Sequence, residues 1–346
     1  MNTKYLLPLL ILALVFAACG PSPEELAAMT AAAWTPTPVP PTATPTPTPA
    51  PYDLTALVAD AEGATIANAS IVLEGSDTPV VTGEDGKASW TNLPAPDGSL
   101  TISAPGYFAS EQTFSLSRGP NDLTFALERD PNGLLPSQAC APGETLLYVE
   151  DFQDGQAHGW PEIEFFAQGW LIEEYATEPG NLVASNNNMS HHGNSLQNAS
   201  YSDAVWRLRF LVNGRRPLSF NWLQNYGVDI EGQHVDDARY QIVADTDGIG
   251  IRRLTLPVLN IGAASGRGAS AGSWHTIEIS TYQGRTEVWL DGQKNSAYTD
   301  PKPLPGGGIG LELMSFDTSK PDTIVYFDNL SVCGLSAPFT SLYVAP

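Results

Sequence analysis

Basic residues are scarce in this chain: 16 Lys and Arg stand against 38 Asp and Glu in 346 residues. So acidic a surface repels nucleic acid and anionic lipid headgroups, which excludes nucleic acid as an expected partner. Cysteine is rarer still, with Cys19, Cys140 and Cys333 only, and an odd number cannot all pair with one another. The apolar run Leu6 to Phe16 is too short for a membrane-spanning helix. No Gly-rich run follows a strand and opens a helix, so nucleotide binding has no support. Ser-His-Asp catalysis is not expected, for want of a Gly-x-Ser-x-Gly elbow. Gly and Pro are plentiful, at 31 and 29, which suits turn-rich β domains better than helix bundles.

The clearest pattern lies between Trp274 and Gly292. Period-2 alternation puts Ile277, Ile279 and Thr281 on one side of a strand, with Thr276, Glu278 and Ser280 on the other. After Gln283-Gly284, Val288 and Leu290 share one side while Glu287 and Trp289 share the other. Gln283-Gly284 and Asp291-Gly292 can supply the positive φ angles of tight hairpin turns. The expectation is a meander with a dry face and a wet face carrying Glu278, Glu287 and Trp289.

The N-terminus reads as an address. Lys4, the apolar run and Ala17-Ala18 form a signal-peptide pattern over residues 1–18. Phe16-Ala17-Ala18-Cys19-Gly20 resembles the lipobox of bacterial lipoproteins. That resemblance implies a diacylglyceryl group on Cys19 and an extracytoplasmic, lipid-anchored chain displayed at the surface. Residues 19–52 then form a linker. Pro at every second or third place from 35 to 51 favours polyproline II, and these 17 residues reach roughly 50 Å.

From residue 53 to 129 short alternating strands are expected: Leu54–Val58, Ala69–Leu73, Val80–Thr82, Ala88–Trp90 and Gly98–Tyr107, with turns at Asp60–Gly63 and Gly83–Lys87. Thr82-Gly83-Glu84-Asp85-Gly86-Lys87 and Ala104-Pro105-Gly106-Tyr107 resemble the carboxypeptidase regulatory-like domains. The resemblance implies a small Ig-like β-sandwich acting as a spacer. Residues 130–140 are a linker, and 336–346 a tail.

Residues 141–335 hold Glu150-Asp151-Phe152, Gly159-Trp160, Trp274-His275-Thr276-Ile277, Val288-Trp289-Leu290-Asp291-Gly292 and Tyr326-Phe327-Asp328-Asn329-Leu330. In that order they resemble the concanavalin A-like lectin and glucanase jelly rolls, including laminin-G-like and family 16-type domains. The fold class is therefore all-β. The resemblance places the first and last strands side by side, which implies a Cys140–Cys333 disulfide in an oxidising compartment; the alternative is two free thiols. It also implies a structural Ca2+ held by Glu150 or Asp151 with Asp328, against plain hydrogen bonding by these carboxylates.

Catalysis by the family 16 enzymes uses Glu-x-Asp-x-x-Glu on one strand, and the chain has no such spacing. Glu162-Ile163-Glu164 and Asp229-Ile230-Glu231 put two carboxylates on one strand face without completing a set, and Asp236-Asp237 reads as a turn. His191-His192 lacks a third metal ligand at a site spacing. The function expected is non-catalytic binding of carbohydrate or a surface glycoprotein. Its alternatives are a glycoside hydrolase-like enzyme acting on a polysaccharide or keto-sugar, and an adhesion scaffold. The ligand candidates are Trp289, Glu278, Arg207, Arg209, Asn221 and Trp222, aromatics with amide and charged groups beside them. Alternation also allows Trp222 a place in the core, with Asn221 facing outward.

Overall fold

The computed structural model describes residues 22–24, 50–187, 192–214, 217–230, 232–255, 258–262, 267–313 and 323–343. The chain divides into Met1–Pro49 and Ala50–Pro346. The signal peptide, Cys19, the Thr/Pro run up to Pro49 and His191 lie outside the described residues. The larger unit is all-β and holds two separate hydrophobic cores.

The first core belongs to a seven-stranded sandwich: β1 (Tyr52–Asp60), β2 (Ser70–Leu73), β3 (Val80–Val81), β4 (Lys87–Leu93), β5 (Asp97–Ser103), β6 (Ser110–Ser115) and β7 (Gly119–Leu127). One sheet runs β4-β1-β7 and the other β3-β2-β5-β6. Alternation in β1 sends Leu54, Ala56 and Val58 inward, against Ile71, Leu100, Ile102 and Phe125. The turn before β4 requires glycine: Gly86 sits at φ +72°, and a Cβ there would meet Val58 O at 2.9 Å. β6 and β7 complete the fold beyond Tyr107, with β7 parallel to β1.

A short helix, α1 (Pro136–Ala139), breaks the linker. The second core lies between two sheets. Its strands are β8 (Thr145–Glu150), β9 (Trp170–Glu174), β10 (Leu182–Asn186), β11 (His192–Ser195), β12 (Ala204–Asn213), β13 (Leu218–Ile230), β14 (Gln233–Asp245) and β15 (Gly248–Leu254). They continue with β16 (Leu259–Gly262), β17 (Trp274–Tyr282), β18 (Arg285–Leu290), β19 (Gln293–Thr299), β20 (Gly308–Leu313) and β21 (Ile324–Gly334). The eight-stranded sheet runs β19-β18-β17-β12-β21-β10-β9, with β8 also on β21; the six-stranded sheet runs β11-β20-β13-β14-β15-β16.

Aromatics join the sheets. Trp206 from β12 stacks on Trp222 from β13 with centroids 6.5 Å apart, and Phe210 meets Phe220 edge-on at 5.4 Å. Trp222 Nε1 donates to Thr281 Oγ1 at 2.8 Å, which satisfies its buried N–H. Ile277, Ile279, Val288 and Leu290 are all buried, as the alternation predicts. Gln283 and Gly284 have φ +48° and +77°, and Asp291 and Gly292 +51° and +70°, so both turns have two positive-φ central residues. β8 and β21 are neighbours, and a disulfide joins Cys140 to Cys333. Two local expectations fail. Pro161–Glu164 forms a short helix, α2, because Pro at its start suits a first helical turn. Asp236 and Asp237 lie inside β14, held by its long pairing with β13.

Candidate functional site

The six candidate ligand residues fall on different surfaces. Arg207, Arg209, Glu278 and Trp289 belong to the eight-stranded sheet, on the side away from the core. Arg207 is fully buried there: its Nη1 and Nη2 donate to Glu144 at 2.6 and 2.8 Å, and its Nε to Glu278 at 2.8 Å. Glu278 is 1% exposed, so the wet face expected for it is dry. The reason is the C-terminal tail, which folds back. Leu342 N donates to Glu278 Oε1 at 2.9 Å, and Ser341 Oγ donates to Oε2. Phe339 meets Trp289 edge-on at 5.7 Å and lies 5.6 Å from the Arg207 guanidinium. Trp289 is half-buried, with Nε1 donating to Glu287 at 3.1 Å. Arg209 pairs with Glu178 at 2.8 Å and lies 4.0 Å over the Trp274 ring. Around Arg207 and Glu278 this face is filled by the chain's own groups, and beside Phe339 a depression of about 300 Å³ remains, lined by Ser280, Arg285 and Glu287. Phe339, Leu342 and Tyr343 in the last ten residues were the sequence signal for the filling.

The pairing of β8 with β21 brings Asp151 within electrostatic reach of Asp328, whereas Glu150 turns to His158. The oxygens of all three carboxylates are occupied by N–H donors. Glu150 accepts from Phe152 N at 2.8 Å and His158 N at 2.7 Å. Asp151 Oδ2 accepts from Leu134 N at 2.9 Å and Gly106 N at 3.0 Å, tying the small sandwich to the jelly roll. Asp328 accepts from Asn329 N at 2.8 Å and Asn181 Nδ2 at 3.2 Å, with Arg209 Nη1 at 3.3 Å. A calcium ion needs six to eight oxygen ligands and would have to displace these donors and the Arg209 cation. Burial pushes the Asp328 carboxyl up to about 7, with Arg209 opposing. His158 stands between Glu150 and Asp154, 3.1 and 3.4 Å from its two ring nitrogens. The Glu150 hydrogen bond raises the imidazole to about 9. Glu150 itself is also raised, because burial outweighs the pairing with His158.

One Gly-x-Ser-x-Gly spacing does occur, Gly268–Gly272, in the loop before β17. Ser270 Oγ lies 3.1 Å from His275 Nε2, and His275 Nδ1 lies 2.9 Å from Asp291 Oδ2. The distances are those of a hydrolase triad, but the chain order Ser-His-Asp and the surroundings are not. His275 Nε2 is equally close, 3.1 Å, to the carbonyl of Ser270 itself. Two nearby amides are tied up in holding the loop: Ala269 N donates to Asp245 O and Gly272 N to Val212 O. The set clasps the loop to the β17–β18 hairpin.

The six-stranded sheet carries a different surface. Leu218, Phe220 and Trp222 point into the core, so Ser219 and Asn221 point outward. A bulge at Leu223, with φ +50°, shifts the alternation and brings Gln224 and Tyr226 onto that same outer face. Register then lines up Ser195, Gly310, Asn221, Gln241, Arg252 and Asn260 across the strands. Gly310 lets Gln224 and Ser195 approach closely: a Cβ there would lie 3.0 Å from Gln224 Oε1 and Ser195 Oγ. Glu312 accepts from Asn221 Nδ2 at 3.2 Å, Gln241 Nε2 at 3.0 Å and Arg239 Nη2 at 3.4 Å, and Arg239 also pairs with Asp237.

Ser219, Asn221, Gln241 and Glu312 are all under a tenth exposed although they face away from the hydrophobic core. Ser219 Oγ, Asn221 Oδ1 and Arg239 Nε have no hydrogen-bond partner among the described residues. Native proteins rarely leave buried polar atoms unpaired, and atoms of this kind pair with ordered water or with a bound polar group. Beside them lies a depression of about 300 Å³ lined by Ser195, Gln197, Asn198, Gln224, Tyr226 and Gly308. Tyr226, 64% exposed, gives it an open aromatic face. Of the sequence candidates only Asn221 belongs here. Trp222 is core, as the alternation allowed. Gln224, Tyr226, Arg239, Gln241 and Glu312 were missed, because only the bulge and the register bring them together.

No curated protein matches the chain in sequence. Among solved structures, it resembles a family 66 carbohydrate-binding module from Bacillus subtilis, at 13% identity over 48% of this chain and 95% of the module, TM-score 0.34. It also resembles a protein of unknown function with a galectin-like fold from Bacillus subtilis, at 11% identity over 54% and 95%, TM-score 0.40. A third is the catalytic domain of an endo-1,3-β-glucanase (laminarinase) from Thermotoga petrophila, at 12% identity over 57% and 100%, TM-score 0.40. In the first sandwich the match is one of sequence: residues 53–128 fit the family model of the carboxypeptidase regulatory-like domain.

Proposed function

We propose that the jelly roll binds carbohydrate without cleaving it, on the outer face of its six-stranded sheet. The observation that carries this reading is the set of buried, outward-facing polar atoms with no hydrogen-bond partner among the described residues, Ser219 Oγ, Asn221 Oδ1 and Arg239 Nε. A sugar's hydroxyl groups both donate and accept, and can satisfy all three. Tyr226 offers a flat apolar face for a pyranose ring, and the amides of Asn221, Gln224 and Gln241 fix its orientation. Hydrolysis needs two carboxylates facing each other across the glycosidic bond. Two carboxylates on this face, Asp237 and Glu312, are instead tied to one guanidinium, that of Arg239. A glycan array probed with wild type and Tyr226→Ala tests the reading. Binding that the substitution removes supports it, and a chain that binds no glycan fits the adhesion scaffold instead. The lipobox-like Cys19 and the Thr/Pro run support a role as a tethered, surface-displayed binder. Recovery of Cys19→Ala in the membrane fraction would refute the anchor.

A further inference from the structure

Arg252 stands apart from the other cations of the jelly roll. The six other described arginines there, Arg207, Arg209, Arg239, Arg253, Arg267 and Arg285, each have a carboxylate within 4.0 Å. Arg252 has no such partner among the described residues, in a chain with 38 acidic side chains from which one could have been drawn. It is exposed, on the outer side of β15, because Ile251 before it is core and Arg253 after it turns to Asp300. Register seats it between buried Gln241 and exposed Asn260, in the row that runs through Asn221 and Gly310. Asn221 lies two strands away, roughly 10 Å at the usual strand spacing.

We infer that the glycan bound on this face carries an acidic sugar unit, and that Arg252 takes its carboxylate with the amides of Gln241 and Asn260 beside it. The inference rests on the carbohydrate reading and narrows it to a uronate-type ligand. A guanidinium presents a fork of donors matched to a carboxylate, and such charge-assisted bonds are the stronger kind. The chain's net charge of −22 opposes a long polyanion. It does not oppose one acidic unit in a mostly neutral glycan, because the Debye length is about 8 Å at physiological salt and distant carboxylates are screened.

The test prints uronate-containing oligosaccharides beside their carboxyl-reduced forms, which differ only in replacing the carboxylate by an alcohol. The full chain is applied as wild type and as Arg252→Ala, a substitution at an exposed position. Wild type should bind the acidic forms at least about tenfold more tightly, the scale of one charge-assisted contact. Arg252→Ala should bind both forms alike, at the wild-type level for the reduced form. Equal wild-type binding to both forms overturns the inference and leaves the carbohydrate reading standing. So does a preference that survives in Arg252→Ala. Absence of binding to either form overturns both.

Discussion

Arg207 Nε lies 2.8 Å from Glu278 Oε1, both side chains 1% exposed, beneath a tail that the chain folds over its own sheet. Breaking a buried pair leaves a charge without its partner, which costs far more than the pair is worth. Arg207→Ala strands two carboxylates, Glu144 and Glu278, and should destabilise the jelly roll by roughly 3–5 kcal/mol in chemical denaturation. Glu278→Gln leaves the bidentate Glu144 contact and should cost less. If Arg207→Ala unfolds at the wild-type denaturant concentration, the pair is not what holds the tail side together.

Asp151, Asp328 and Glu150 act in this structure as acceptors for N–H groups, and Arg209 supplies a cation beside Asp328. An ion bound only by the folded chain adds about 2.7 kcal/mol at a hundred times its dissociation constant. Melting curves in excess calcium and in chelator should coincide. A higher melting temperature in calcium would show that the ion displaces these donors.

His158 bridges Glu150 and Asp154, and its imidazole is raised to about 9 from 6.5, with the Glu150 hydrogen bond as the main cause. Because the folded value is the higher one, its stabilising contribution is full below pH 6.5 and is lost as pH rises through about 9. An NMR titration should place the His158 ring resonances well above the ordinary histidine midpoint. His158→Gln should flatten the fall in stability across that interval. A midpoint near 6.5 would contradict the bridge.

Much of the fold was legible because it rests on period-2 patterns. Ile277, Ile279, Val288 and Leu290 announce a core face, Asp291-Gly292 announces its turn, and Cys140, just before β8, and Cys333, near the end of β21, flank strands that neighbour each other. The site was less legible for two physical reasons. Alternation says which side of a strand Glu278 takes but not what covers that side, and here the tail does. The face that stays polar depends on the bulge at Leu223, which moves Gln224 and Tyr226 into line with Ser219 and Asn221. A one-residue shift of this kind reverses every later side chain, and nothing in a linear pattern marks it.

The central claim is that ligand meets the outer face of the six-stranded sheet rather than the Trp289 face. The most direct measurement follows side-chain N–H signals by NMR while a glycan selected on the array is added to the chain. The Asn221, Gln224 and Gln241 amides should shift in step with binding while the Trp289 indole N–H stays in place. Movement of the Trp289 signal with the three amides unmoved would contradict the account.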